Sequence, residues 1–104
     1  MKSKVILSIS LAIVSSASYA LEAFVGKVTL VEPSYLPGTV ALQMDSGNTT
    51  CPSGTWLFWR NADPQNNKAV YATLMTALAT GKQVRFHIND NDSTCTGKHL
   101  HLLN

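Results

Sequence analysis

Between Ala23 and Glu32 the chain alternates, with Phe24, Gly26, Val28 and Leu30 on one parity and Val25, Lys27, Thr29 and Val31 on the other. That period of two predicts a first strand. Pro33, Pro37 and Gly38 interrupt it, since proline lacks a ladder donor and glycine accepts positive φ, and Thr39–Asp45 resumes an extended pattern as a second strand. The polar tract 46–54 leads into Thr55, Trp56, Leu57, Phe58, Trp59 and Arg60, short and aromatic as a third strand would be. After a loop over 61–66 the period changes: Val70, Leu74 and Leu78 recur at spacing four, with Tyr71 and Met75 on an adjoining stripe, which predicts an amphipathic helix. Asn66 or Asn67 can cap its first amides, and Gly81 supplies the left-handed residue that stops it. Val84, Phe86 and Ile88 then alternate with Arg85 and His87, the run 89–93 turns the chain, and Leu100 and Leu102 alternate with His99 and His101 as the last two strands.

Three strands, one helix and two strands is the chain order of the OB-fold, a five-stranded, partly open Greek-key barrel that is mainly β with one helix. An α+β sandwich with the helix on one face is the competing arrangement. In the barrel reading the helix plugs an open end, and Val28, Leu30, Phe58, Val70, Leu74, Leu78, Val84, Phe86 and Leu100 form the core. No repeat and no long linker divides the chain, so it holds a single domain over residues 21–104.

The first twenty residues are of another kind. Lys2 and Lys4 precede an apolar run from Val5 to Val14, and small residues follow to Ala20, as in a secretory signal peptide cleaved before Leu21. About ten apolar residues fall short of the roughly 20 that span a bilayer, so no membrane span is expected. The short Lys-led leader points to a bacterial protein, periplasmic or secreted. The remainder carries six cations and six anions, and a neutral chain without a basic cluster argues against nucleic-acid binding. Cys51 and Cys95 are the only cysteines. An even count in an oxidising compartment usually means a bridge, and closing a loop of this length stabilises a small domain by about 4 kcal/mol.

Candidate chemistry is sparse. Alternation puts Trp56 and Phe58 on one side of the third strand and Trp59 on the other. Because OB barrels bind oligosaccharides on strand faces and loops, Trp59 is a candidate stacking platform, with Ser53, Arg60 and Asn61 as neighbouring polar contacts. Tyr35, between two prolines in the first loop, is a second aromatic candidate; the bland reading of both is packing. His87, His99 and His101 share a face if the last two strands pair, which makes them weak candidates for zinc and otherwise a pH-sensitive patch. No cofactor is implied. There is no nucleophile motif, no phosphate-cradling loop and no HExxH, and Asp45, Asp63, Asp90 and Asp92 all fall at turns, so an enzyme is not expected.

One stretch resembles a known family. Val70-Tyr71, Thr80-Gly81 and Val84-Arg85 stand at the spacing found in the pertussis-like toxin B subunits, the family of the subtilase cytotoxin B subunit, and Phe24-Val25-Gly26-Lys27-Val28 is similar to its early Phe-x-Gly-x-Val. The resemblance covers Phe24 to Phe86 loosely and Tyr71 to Phe86 well. It implies an OB-fold subunit that binds glycans, assembles as a homo-pentameric ring and carries a catalytic A subunit. Val25 stands where that family has a sugar-contacting serine; valine offers no side-chain hydrogen bond, so sialic acid is not expected to be held in that way. The alternative is a free-standing periplasmic OB protein that binds a protein partner or a small ligand.

Overall fold

The computed structural model describes residues 20–104, so the expected leader lies outside the described residues apart from Ala20. Six elements follow in order: β1 (Leu21–Glu32), β2 (Val40–Met44), β3 (Leu57–Trp59), α1 (Pro64–Thr80), β4 (Gln83–Asn89) and β5 (Gly97–Leu102). The strands line up as β3-β2-β1-β4-β5 with antiparallel neighbours throughout. The long β1 serves two partners: Leu21 to Lys27 pairs with β4, and Val28 to Glu32 pairs with β2. The outer strands then meet. Phe58 forms a parallel bridge to Thr96, and its N–H donates to the Cys95 carbonyl at 2.9 Å. This contact brings the two sheet ends together as the partly open barrel of an OB-fold.

The face that β1 turns inward changes along its length. Val28 is aligned with Met44 but Leu30 with Gln43, so β1 advances two residues while β2 advances one, a β-bulge. Before it, Phe24 and Val28 are buried; after it, Val31 packs against the core and Leu30 is 37% exposed. Leu30 therefore does not belong to the core, because the bulge reverses the parity on which that assignment rested.

The helix begins ahead of the expected start at Asn67. Asp63 accepts the Gln65 N–H at 3.0 Å, and Pro64 occupies the first turn, where a missing N–H costs nothing. Gly81 ends it as predicted, at φ 73° with its N–H on the Ala77 carbonyl at 2.9 Å. Asn67 is wholly buried instead of capping. Its amide accepts the Asn61 N–H at 2.8 Å and donates to the carbonyls of Pro37 at 2.8 Å and Asn61 at 3.0 Å. This polar anchor fixes the rotation of α1, so the inward stripe runs Asn67, Val70 with Tyr71, Leu74 and Ala77. Leu78 falls beside that stripe and is 39% exposed, which removes it from the expected core.

Leu42, Met44, Leu57, Trp59, Leu74, Val84, Phe86 and Ile88 fill the barrel. Val70 and Leu100 are partly buried against them, whereas Phe58 is half-buried on the outer face rather than inside. Gly97 is buried where no side chain fits: a Cβ there would lie 2.7 Å from both the Trp59 and the Phe86 rings. Two ties hold the loops at this end. Cys51 and Cys95 form the expected disulfide. The Glu22 carboxylate accepts from Asn91 N–H at 2.8 Å, Thr50 Oγ1 at 2.8 Å and Asn48 Nδ2 at 2.9 Å. The Asn91 amide first, then a hydrogen bond with the Asp90 carboxyl, then Thr50 and Asn48 pull its pKa down to about 2.

Candidate functional site

Strand register places Glu32 beside Ala41 and Ala41 beside Phe58, one row across β1, β2 and β3. Residues aligned in this way present their side chains to the same face. Ala41 contributes only a methyl group to the middle of the row, which leaves a depression. Trp56 has the parity of Phe58, and the β1–β2 loop brings Tyr35 over from the other side. These five residues line a groove of about 300 Å³. Tyr35 is 66% exposed and Trp56 43% exposed, so both rings are open to a ligand.

The groove is built on fixed backbone. The Tyr35 carbonyl accepts the N–H groups of Gly38 at 3.0 Å and Thr39 at 3.1 Å, and the Leu36 N–H donates to Pro33 at 3.1 Å, closing the loop into successive turns. Asn67 holds the same loop from beneath through the Pro37 carbonyl. The Arg60 guanidinium lies 4.7 Å from the centroid of the Phe58 ring, a cation–π contact at the groove's flank. Glu32 accepts the Ser34 N–H at 3.0 Å. The Ser34 hydroxyl and amide together hold its carboxyl below the usual range, so it is ionised at neutral pH. Open aromatic faces and a carboxylate acceptor suit a polyhydroxylated ring: its C–H face covers the aromatics and its hydroxyls donate to Glu32.

The sequence candidates divide between this groove and a second one. Tyr35 lines the first, with Arg60 at its flank. Trp59 and Asn61 line a second groove of about 320 Å³ between α1 and β5, together with Asn66, Thr73, Lys98, His99 and His101. Ser53 is exposed and lines neither. Trp59 offers no stacking face. It is 5% exposed, and its indole N–H donates to Asn66 Oδ1 at 2.8 Å, because β3 turns Leu57 and Trp59 into the barrel and leaves Trp56 and Phe58 outside. Sequence reasoning paired Trp56 with Phe58 but did not single out Trp56, Glu32 or Ala41. The shared parity was the available signal; cross-strand register, which a single strand does not contain, was the missing one.

The three histidines do gather on one face. The His87 ring lies 4.9 Å from that of His101 and 5.8 Å from that of His99, while Arg85 Nη1 and His101 Nδ1 are 3.3 Å apart. Burial, then His101, His99 and Arg85, lowers the His87 pKa, and its buried Nε2 has no hydrogen-bond partner. Among the described residues no group of three His, Cys, Asp or Glu is arranged to hold a metal ion. The turn carboxylates serve backbone: Asp45 accepts the Lys27 N–H at 2.8 Å, Asp63 caps α1, and Asp92 accepts the Thr94 N–H at 2.9 Å. Among the described residues no helix is long and apolar enough to cross a membrane.

No protein-family model matches the chain, and no curated protein sequence does. Among solved structures it is similar to a cholera toxin-like B subunit from Citrobacter freundii, with a TM-score of 0.52 and 14% sequence identity, over 81% of this chain and 85% of that one. At that identity the likeness is one of fold: a toxin B-subunit-like OB barrel.

Proposed function

We propose that this chain is an exported, non-catalytic glycan-binding subunit that associates with copies of itself. The observation that carries the reading is the row Glu32, Ala41 and Phe58 roofed by open Tyr35 and Trp56. It lies on the strand β2–β3 face and first loop, where OB barrels take oligosaccharides. Likeness in fold to a cholera toxin-like B subunit supports the same function. Self-association is supported by apolar side chains left open on the barrel and helix, including Leu21, Val25, Met75, Leu78 and Leu102. In the fullest form of the proposal the copies close a five-membered ring that carries a catalytic A chain.

The test combines a glycan microarray with light scattering on oxidised residues 21–104. The proposal expects glycan binding that Trp56→Ala abolishes, and a mass of several chains, near five for the ring. A monomer that binds glycans keeps the site and removes the ring. A monomer that binds none favours a free-standing OB protein with a protein or small-molecule partner.

A further inference from the structure

We infer that the groove formed by Tyr35, Trp56, Phe58, Ala41 and Glu32 selects neutral saccharides and turns away those bearing a carboxylate or sulfate. This rests on the glycan-binding reading and adds the chemical class of the ligand. Glu32 is the one charged side chain that lines the groove. One of its oxygens accepts the Ser34 N–H at 3.0 Å, and the carboxylate, with about four acceptor sites, keeps capacity to accept sugar hydroxyls. Ser34 also favours the ionised form, so a second negative charge entering the groove meets a carboxylate that does not readily take up a proton to relieve the repulsion.

Among the described residues no cation lines the groove beside Glu32. Arg60 is placed over the Phe58 ring at 4.7 Å and does not line the groove. Discrimination between two sugars is a difference in affinity, and an unpaired like charge against one of them contributes as much as a good contact with the other. The second groove has the reverse character. Lys98, His99 and His101 line it together with the amides of Asn61 and Asn66, and no carboxylate does. The two grooves therefore differ in the charge they accept, and a variant in each separates them.

The experiment displays residues 21–104, with the disulfide intact, against matched pairs of oligosaccharides ending in galactose or N-acetylglucosamine, each with and without a terminal sialic acid or sulfate. Wild type, Trp56→Ala, Glu32→Gln and Lys98→Ala are compared, with thermal melts confirming that each variant is folded. The expected result is binding of the neutral members at least about tenfold tighter than of their anionic partners. Trp56→Ala removes it, Glu32→Gln narrows the difference, and Lys98→Ala leaves it alone. Anionic members that bind as well as neutral ones and are lost with Trp56→Ala overturn the selectivity while leaving the glycan site in place. Binding that ignores Trp56→Ala, or binding of no member, overturns the groove assignment and the selectivity with it.

Discussion

The indole N–H of Trp59 donates to Oδ1 of Asn66 at 2.8 Å, joining the end of β3 to the first turn of α1. The bond satisfies the one polar atom of a ring that is otherwise core, so Trp59 can sit inside the barrel while Trp56 stays outside. Buried tryptophans need such a partner. The two tryptophans therefore have separable roles. Trp59→Ala should destabilise the fold by about 3–5 kcal/mol in urea denaturation, through the cavity it leaves. Trp56→Ala should leave the urea midpoint within error and act on ligand binding.

Gly97→Ala tests the packing beneath the same ring. The added methyl would lie 2.7 Å from both Trp59 and Phe86, rings with no room to retreat. Overpacking of this kind costs about 1–3 kcal/mol. A lower thermal midpoint and altered near-ultraviolet circular dichroism are expected; a melt superimposable on wild type would show that the barrel is looser here than described.

Replacing Asn67 by leucine keeps the number and branching of its side-chain heavy atoms and removes the polar anchor. It strands the Asn61 N–H and the Pro37 carbonyl, each of which Asn67 satisfies at 2.8 Å. A stability loss of about 1–3 kcal/mol should follow from unmaking these half-buried bonds together. Amide exchange should accelerate at Asn61. The loop that presents Tyr35 should loosen as well, weakening ligand binding from a distance.

Acid should weaken the β4–β5 face. His87 is flanked by Arg85 on its own strand and by His99 and His101 on β5, while β1 places Ala23 opposite; among the described residues none of the groups acting on its charge is a carboxylate. Burial first, and these neighbours second, lower its pKa below the ordinary 6.5. Above 6.5 the imidazole is neutral whether folded or unfolded and has no effect. Below it the unfolded chain takes up the proton more readily, so stability falls as pH drops from 6.5 through the lower folded value. Urea midpoints between pH 7.5 and 5.0 should show this decline, and His87→Gln should reduce it.

Much of this was legible in the sequence. Periods of two and of 3.6 gave the element order, Gly81 gave the end of the helix, and the two cysteines gave the bridge. What escaped depends on partners distant in the chain. Leu30 was assigned to the core because alternation in β1 is unbroken; the bulge that reverses it exists only in the pairing with β2. Asp63 and Pro64 were a readable helix start, but Asn66 and Asn67 offered a competing one, and only tertiary contacts reveal that both amides are used inward. For β3, alternation separated Trp56 from Trp59 without saying which faced in. The absent side chain at Gly97, far along the chain, is what makes room for Trp59.

The most direct measurement uses the fact that the chain has two tryptophans. In nitrogen-15 correlation spectra each indole N–H gives its own signal, one from the groove and one from the core. Titrating ¹⁵N-labelled residues 21–104 with a neutral oligosaccharide that binds on the array should move the Trp56 signal and leave that of Trp59 in place. Movement of Trp59 with Trp56 unchanged would put the ligand in the second groove and contradict the account.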